Sequence, residues 1–456
     1  MFNSSNGRLF DPEMREMDRV IWKIALPCAL ENLLTFAAGL IVAAMIGRLT
    51  ADEIAAQAMG MRITGFLQSL FKGIGIGATV IIGVFYGMEK LGKCRRVAEQ
   101  MMLVVLPISL LLTAIVICEP RPFLRLFADD EQLVELAVPY IRIAIWLVPS
   151  VAVSRIVTAA FNAQGDTRTP MIIAVTMNFI SAGLGYLMIF VLGWGLLGAA
   201  WSLTLAYLAG MVMGLFALYW KKGLYFGVPR DMGILQWDIA SIKDTFTTGL
   251  PASCENMMWS VVAIIMSRAL LSYGTSVYSG YQLASQVEEF MGAPCFGFQT
   301  ATTALIAQSL GRRDMKEAKS VHKRISFWGI LVSLPIAVIL FFGADFFMML
   351  LTDKSDIQSS GAMYLMIAAI AWIPQTLNMI DFGAIRVTSS KSFPLIGTIL
   401  GMWGVRVPVA VLAALVWKLD VAVVFAGIAF DQIFRWGLAL VYRKKKNIFA
   451  ELPVEE

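Results

Sequence analysis

Histidine is almost missing from this chain. There is one, His322, in 456 residues. No His/Asp cluster at metal spacing and no Ser/His arrangement occurs, which argues against a membrane enzyme and against a bound metal. Cysteine is also sparse: five residues, no CxxC pair, with Cys28, Cys118, Cys254 and Cys295 in or at the ends of apolar runs and Cys94 in a basic loop. That scatter argues against a disulfide framework. Charge is scarce too, at 15% of residues, where a soluble domain carries about a quarter. The net charge of +5 sits in loops between apolar runs and is no nucleic-acid signature. The first residues, Met1 to Arg19, are polar and of mixed charge, unlike a cleaved signal peptide.

What fills the space is apolar. Hydrophobic residues make up 58% and mean hydropathy is +0.72. The runs are about 20 residues long and uniformly apolar, so they read as membrane-spanning helices, whose backbone polar groups pair within the segment. Twelve spans are expected: 20–46, 54–87, 98–118, 136–160, 171–192, 195–219, 243–270, 277–309, 326–351, 361–386, 394–417 and 420–441. Loop charge sets their orientation. Lys90, Lys93, Arg95 and Arg96, then Arg168, then Lys221, Lys222 and Arg230, then Arg312 to Arg324, then Arg386 and Lys391, then Arg443 to Lys446 follow the even spans. Asp52, Glu53, Asp129, Asp130, Glu131, Asp353 and Asp356 lie in the opposite loops. Lys/Arg bias places both termini inside a cytoplasmic membrane.

The chain repeats itself. Leu26-Pro27-Cys28-Ala29-Leu30-Glu31-Asn32 returns as Leu250-Pro251-Ala252-Ser253-Cys254-Glu255-Asn256 (251 − 27 = 224). At the same shift Gly73 matches Gly297, Thr79 matches Thr303 and Gly87 matches Gly311; later Tyr140 pairs with Tyr364, Pro149 with Pro374 and Pro170 with Pro394. Six spans per copy make the repeat parallel. The expected fold is an all-α polytopic membrane protein of twelve transmembrane helices, in two pseudo-symmetric six-helix lobes around a central cleft. A cytoplasmic segment 1–19 precedes an N-lobe 20–222; a linker 223–242, with Pro229 and Gly233, leads to a C-lobe 243–442 and a basic tail 443–456.

A carboxylate within the bilayer is costly and usually faces a cavity or a partner. Glu31 and Glu255 each sit one turn past a proline, with Asn32 and Asn256 beside them. Either they bind a proton or cation, or they cap backbone groups freed by the prolines. Glu288 and Glu289, near Gln282, Gln286 and Gln299, lie in the eighth span; as neighbours they face different ways. Lys72 could neutralise Glu31 or an acid of span eight. Arg406 and the Asp431/Arg435 pair, at i,i+4, are supporting charges. Arg155, Asp381 and Arg386 are expected near the cytoplasmic ends of their spans, and His322 solvated in a loop.

Four features resemble the multidrug and toxic compound extrusion (MATE) family: the doubled opening motif, Phe161 to Pro170 after the fourth span, Gln308 to Asp314 after the eighth, and Gly193 to Trp201. The resemblance covers about residues 20–440. It implies two six-helix lobes that open alternately to each side. It also implies secondary efflux of hydrophobic, often cationic, organic compounds in exchange for H+ or Na+. The chain departs from the pattern. Val42 stands where many relatives carry an aspartate, and Ser181 and Gly185 stand where they carry Asn and Asp. The N-lobe cation site of those branches is therefore absent, and Glu255 is one turn past its proline where relatives place a glutamate about two turns on. The expected function is a proton-coupled (or Na+-coupled) exporter working through Glu31 and Glu255, acting as a monomer and needing no cofactor. A flippase of lipid-linked saccharides from the same superfamily is the alternative. A channel is disfavoured, because no polar filter sequence occurs.

Overall fold

The computed structural model describes residues 12–126, 130–220 and 237–450. They form helices and no strand. In order these are α1 Pro12–Ile46, α2 Ala51–Gly87, α3 Leu91–Cys118, α4 Pro120–Arg125, α5 Glu131–Ala144, α6 Leu147–Ala163, α7 Arg168–Tyr186, α8 Gly195–Trp220, α9 Ile239–Leu271, α10 Thr275–Met291, α11 Ala293–Gly311, α12 Met315–Phe342, α13 Ala344–Leu351, α14 Ser355–Ile370, α15 Trp372–Thr388, α16 Phe393–Thr398, α17 Val407–Val411 and α18 Val421–Lys446. Wider, π-helical stretches occupy Leu187–Val191, Ile399–Arg406 and Leu412–Val416. Helix starts are set by side-chain caps. Thr50 and Glu53 form a reciprocal capping box on α2, Asp314 accepts from the Glu317 amide on α12, and Asp420 accepts from the Ala422 amide on α18.

Among the described residues nine helices are long and apolar enough to cross a membrane, or eleven if two bent pairs each count as one span. The bent pairs are α5 with α6 (41°) and α14 with α15 (54°). Pro149 and Pro374 stand third in α6 and α15, where a missing N–H and a ring against the previous turn favour a break. The eighth expected span, 277–309, is also divided, into α10 and α11, with Gly292 and Pro294 at the break. Its Gln282, Gln286, Glu288, Glu289, Gln299 and Gln308 make it the least apolar of the set.

The terminal segments differ from expectation. α1 already begins at Pro12, inside the expected segment 1–19, and α18 runs through the basic tail to Lys446, where Asn447 turns left-handed (φ 40°). Residues 221–236, which hold Lys221 and Lys222 and, with Arg230, most of the expected linker 223–242, lie outside the described residues, as do 1–11, 127–129 and 451–456.

The chain forms two compact units, and they do not divide at the linker. One runs Leu30–Ser253; the other joins the chain up to Ala29 to the chain from Cys254 onward. Both boundaries fall two residues past the repeated prolines, inside α1 and inside α9.

In the unit Leu30–Ser253 the start of α9 lies against α2. A Cβ on Gly73 would stand 2.1 Å from the Ser253 amide nitrogen, and one on Gly77 would stand 2.4 Å from the Thr245 carbonyl oxygen. Ser253 Oγ donates to the Leu70 carbonyl at 2.5 Å. Phe71, Tyr140, Phe161 and Met101 fill this unit's core.

In the other unit the start of α1 lies against α11 and α12. A Cβ on Gly297 would stand 2.3 Å from the Ala25 carbonyl oxygen. Asp18 binds Arg324 Nε at 2.5 Å and accepts from Trp328 Nε1 at 2.7 Å, and Trp22 meets Phe298 and Trp328 edge-on. The core here holds Trp372, Tyr364, Phe425 and Leu270.

Candidate functional site

Glu31 and Asn32 follow Pro27 in α1, at the start of the unit Leu30–Ser253. Both are half-buried. Glu31 makes no hydrogen bond or ion pair among the described residues; the cation whose field reaches it is Arg155 of α6, which packs on α2 at Gly75. Lys72, which could neutralise Glu31 or an acid of span eight, is exposed. Nearby, Asn178 Nδ2 donates to Thr35 Oγ1 at 3.1 Å.

Its repeat counterpart has different surroundings. Glu255 Oε2 receives Arg386 Nη2 at 2.6 Å, and the two side chains are 16% and 2% exposed. Arg386, near the end of α15, is buried against α9. One turn beyond Glu255 stands Trp259, with the guanidinium carbons of Arg406 and Arg435 5.0 and 5.1 Å from its ring. Asp431 is fully buried. Its two oxygens receive Arg435 Nε and Nη2, both at 3.0 Å, which realises the expected i,i+4 pair. Gln432 Oε1 takes a further bond from Arg435 Nη2 at 2.8 Å. Arg406 Nη2 approaches Asp431 Oδ2 at 2.8 Å.

Glu288 points inward from α10 and Glu289 outward, as adjacency requires. Glu288 accepts from the Tyr364 hydroxyl and from Gln375 Nε2 at 3.5 Å. Tyr281 lies edge-on to Tyr364, with ring centres 5.0 Å apart, and Phe425 closes the aromatic set. Gln282 is exposed and bonds Tyr278 of its own helix at 3.0 Å. Asn256 is half-buried on α9.

His322 overturns its expected solvated position. It is 4% exposed, inside α12, with Nε2 2.8 Å from Asp381 Oδ1. Arg443 Nη1 reaches the same oxygen at 2.8 Å. The physical reason is that the basic segment is helical from Met315. Ala318, Val321, His322 and Ile325 fall on its inner side. Asp381, expected at the interface, is buried with it.

The residues sequence reasoning undervalued are Arg386, Trp259, Tyr364 and Asp18. Arg386 carried a signal, since an arginine within an apolar span needs a partner. The aromatic side chains carried none among so many. Among the described residues no group of three or more His, Cys, Asp or Glu is placed to hold a metal ion.

Comparison with known proteins agrees with the doubled geometry. The MatE family profile matches residues 27–187 and 251–412, beginning at the two prolines. The chain is 23% identical over 435 residues to the probable multidrug resistance protein NorM of Thermotoga maritima, covering 94% of this chain and 93% of that one. It is 24% identical over 438 residues to the probable multidrug resistance protein YoeA of Bacillus subtilis, with 93% of each covered. Among solved structures it is similar to a multidrug resistance MATE family transporter of the MOP superfamily in an outward-facing conformation. That likeness has a TM-score of 0.87 at 17% identity and covers 94% of this chain and 96% of that one. It is also similar to a mutant of the Vibrio cholerae MATE transporter VcmN, with a TM-score of 0.87 at 17% identity, covering 96% and 99%. The likeness shows the two-lobe, all-helical fold.

Proposed function

Because the chain belongs to the MatE family, we propose that it is a secondary active exporter of organic compounds, many of them cationic, driven by inward movement of protons across a cytoplasmic membrane. Relatives described as probable multidrug resistance proteins, similar along nearly their whole length, support the export reading. The observation that carries the coupling is the contrast among carboxylates. Glu255 and Asp431 are already paired with arginines, whereas among the described residues Glu31 and Glu288 form no ion pair. A carboxylate within the membrane that is not held in an ion pair can take up a proton or an organic cation, one excluding the other. This moves the proposed coupling pair from Glu31 and Glu255 to Glu31 and Glu288. Asn32 on α1, Asn256 on α9, and Gln282 and Glu289 on α10 remain candidate contacts, each within its own unit.

The test is proton release. A fluorescent organic cation added to the purified protein in weakly buffered detergent solution is expected to release protons as it binds. E31Q/E288Q is expected to bind the cation without release. Undiminished release from the double variant would contradict the assignment.

A flippase of lipid-linked saccharides is the second reading. Arg386, Arg406 and Arg435 outnumber the acids they touch, which is what a diphosphate group would need. Complementation of a flippase-deficient strain separates the two.

A further inference from the structure

Three guanidinium groups and two carboxylates share the interior of the unit that contains Cys254 onward: Arg386, Arg406 and Arg435 against Glu255 and Asp431. Arginine does not give up its proton in a protein, so among these five side chains the positive groups outnumber the negative by one. Glu288 does not remove it by contact, because its partners are Tyr364 and Gln375.

The excess is located at Arg406. Arg435 is fully used, with Nε and Nη2 on Asp431 and a further bond to Gln432. Arg386 has Glu255. Arg406 reaches only an Asp431 oxygen already taken by Arg435. Its Nη2 is close but forms no directed hydrogen bond, and its Nε is buried without a partner among the described residues. A buried guanidinium with an unfilled donor edge is costly unless something accepts from it. Its flat face lies on Trp259, which is 38% exposed, so the floor beneath the guanidinium reaches the surface of the unit.

The backbone points the same way. Arg406 ends the π-helical stretch Ile399–Arg406, and the matching part of the first copy, around Ser181, is ordinary α-helix. The later π stretches do keep the repeat, at Leu187 and Leu412. The widening before Arg406 is thus private to the second copy, and such widenings recur at functional sites.

We propose that the free edge of Arg406, over Trp259, binds an oxyanion group, a carboxylate or phosphate carried by an amphiphilic compound. The fork of Arg406 offers paired donors to two oxygens, and Trp259 takes the apolar part beside them. The transporter's substrates would then include compounds bearing an oxyanion. The inference rests on the transporter reading but not on its coupling ion.

The test is equilibrium binding to the full-length protein in non-ionic detergent, with no gradient, so its outcome is separable from that of the coupling experiments. The probes are 1-naphthyl phosphate, 1-naphthoate and the cation 1-naphthylmethylammonium, followed by calorimetry. Both anions are expected to bind about tenfold or more tighter than the cation, given about 1.5–3 kcal/mol for a hydrogen bond to a charged group. R406Q is expected to abolish that preference. R406K, which keeps the charge and loses the fork, is expected to lose most of it. Displacement of the probe by phosphatidylglycerol in the detergent would assign the site to a lipid headgroup; no displacement would assign it to a soluble compound. Equal affinity for anions and cation in the wild type would overturn the proposal whether or not the variants fold. So would unchanged preference in monodisperse R406K.

Discussion

Glu31 and Glu255 hold the same place in the repeat and answer differently to the same substitution. Glu255→Gln leaves Arg386 buried without its counter-charge, while its Nε already lacks a partner. Breaking a buried ion pair from one side costs about 3–5 kcal/mol, so a clear fall in Tm is expected. Asp431→Asn should do the same, because two arginines converge on it. Glu31→Gln removes no bond and should leave Tm within a degree or two of wild type. Thermal unfolding in detergent reads all three; equal losses for Glu31→Gln and Glu255→Gln would contradict the distinction. The Asp431–Arg435 pair could be read in sequence because its spacing is local. Glu255 and Arg386 are 131 positions apart, and no spacing rule joins them. His322 was misread because a run of Lys and Arg looks like a loop, whereas here it coats one side of a helix whose other side is buried.

At the scale of elements, the helices were plain from apolar length, and their divisions were less so. Proline marks the bends in the fourth and tenth spans, yet a proline inside a helix need not break it. Pro27, Pro107, Pro251 and Pro335 all sit within continuous helices. The close approaches of α2 to α9 and of α11 to α1 depend on Gly73 and Gly297, where any Cβ would meet backbone. Gly297→Val is expected to push α1 off α11 and to reduce the yield of monodisperse protein sharply. Size-exclusion chromatography checks this, with Gly39→Val as control, since nothing lies within 4 Å of a Cβ there. The start of α9 is held by Asp238, which accepts from the Ser241 amide at 3.1 Å and hydroxyl at 2.8 Å. Burial alone would raise the Asp238 pKa, but the Ser241 bonds and the fields of Lys93 and Arg96 outweigh it, so the pKa is lowered. A lowered carboxylate pKa stabilises the fold above the unfolded value of about 3.9, and that contribution is lost as pH falls through the folded value. Amide exchange at the start of α9 should therefore rise in that acid window in wild type and be raised already at neutral pH in Asp238→Ala. Exchange that is unaffected by the substitution would contradict the cap.

For the whole molecule, the 224-residue repeat was visible in sequence as a doubled motif, and it holds down to the placement of bends and of two π-helical stretches. What the repeat did not disclose is where the chain divides. A polar linker invites a boundary, but each of α1 and α9 passes from one compact unit to the other just past its proline. Glu31 and Glu255 stand immediately after those two passages.

The central claim is proton-driven export through Glu31 and Glu288, the carboxylates that form no ion pair among the described residues. It is tested most directly by uptake of a fluorescent organic cation into inside-out vesicles holding the purified protein. A proton gradient alone and then a sodium gradient alone would be imposed, for wild type and for E31Q/E288Q. The account predicts uptake driven by the proton gradient, little under sodium, and loss of the proton-driven uptake in the double variant. Uptake driven by sodium, or proton-driven uptake that survives in the double variant, would contradict it.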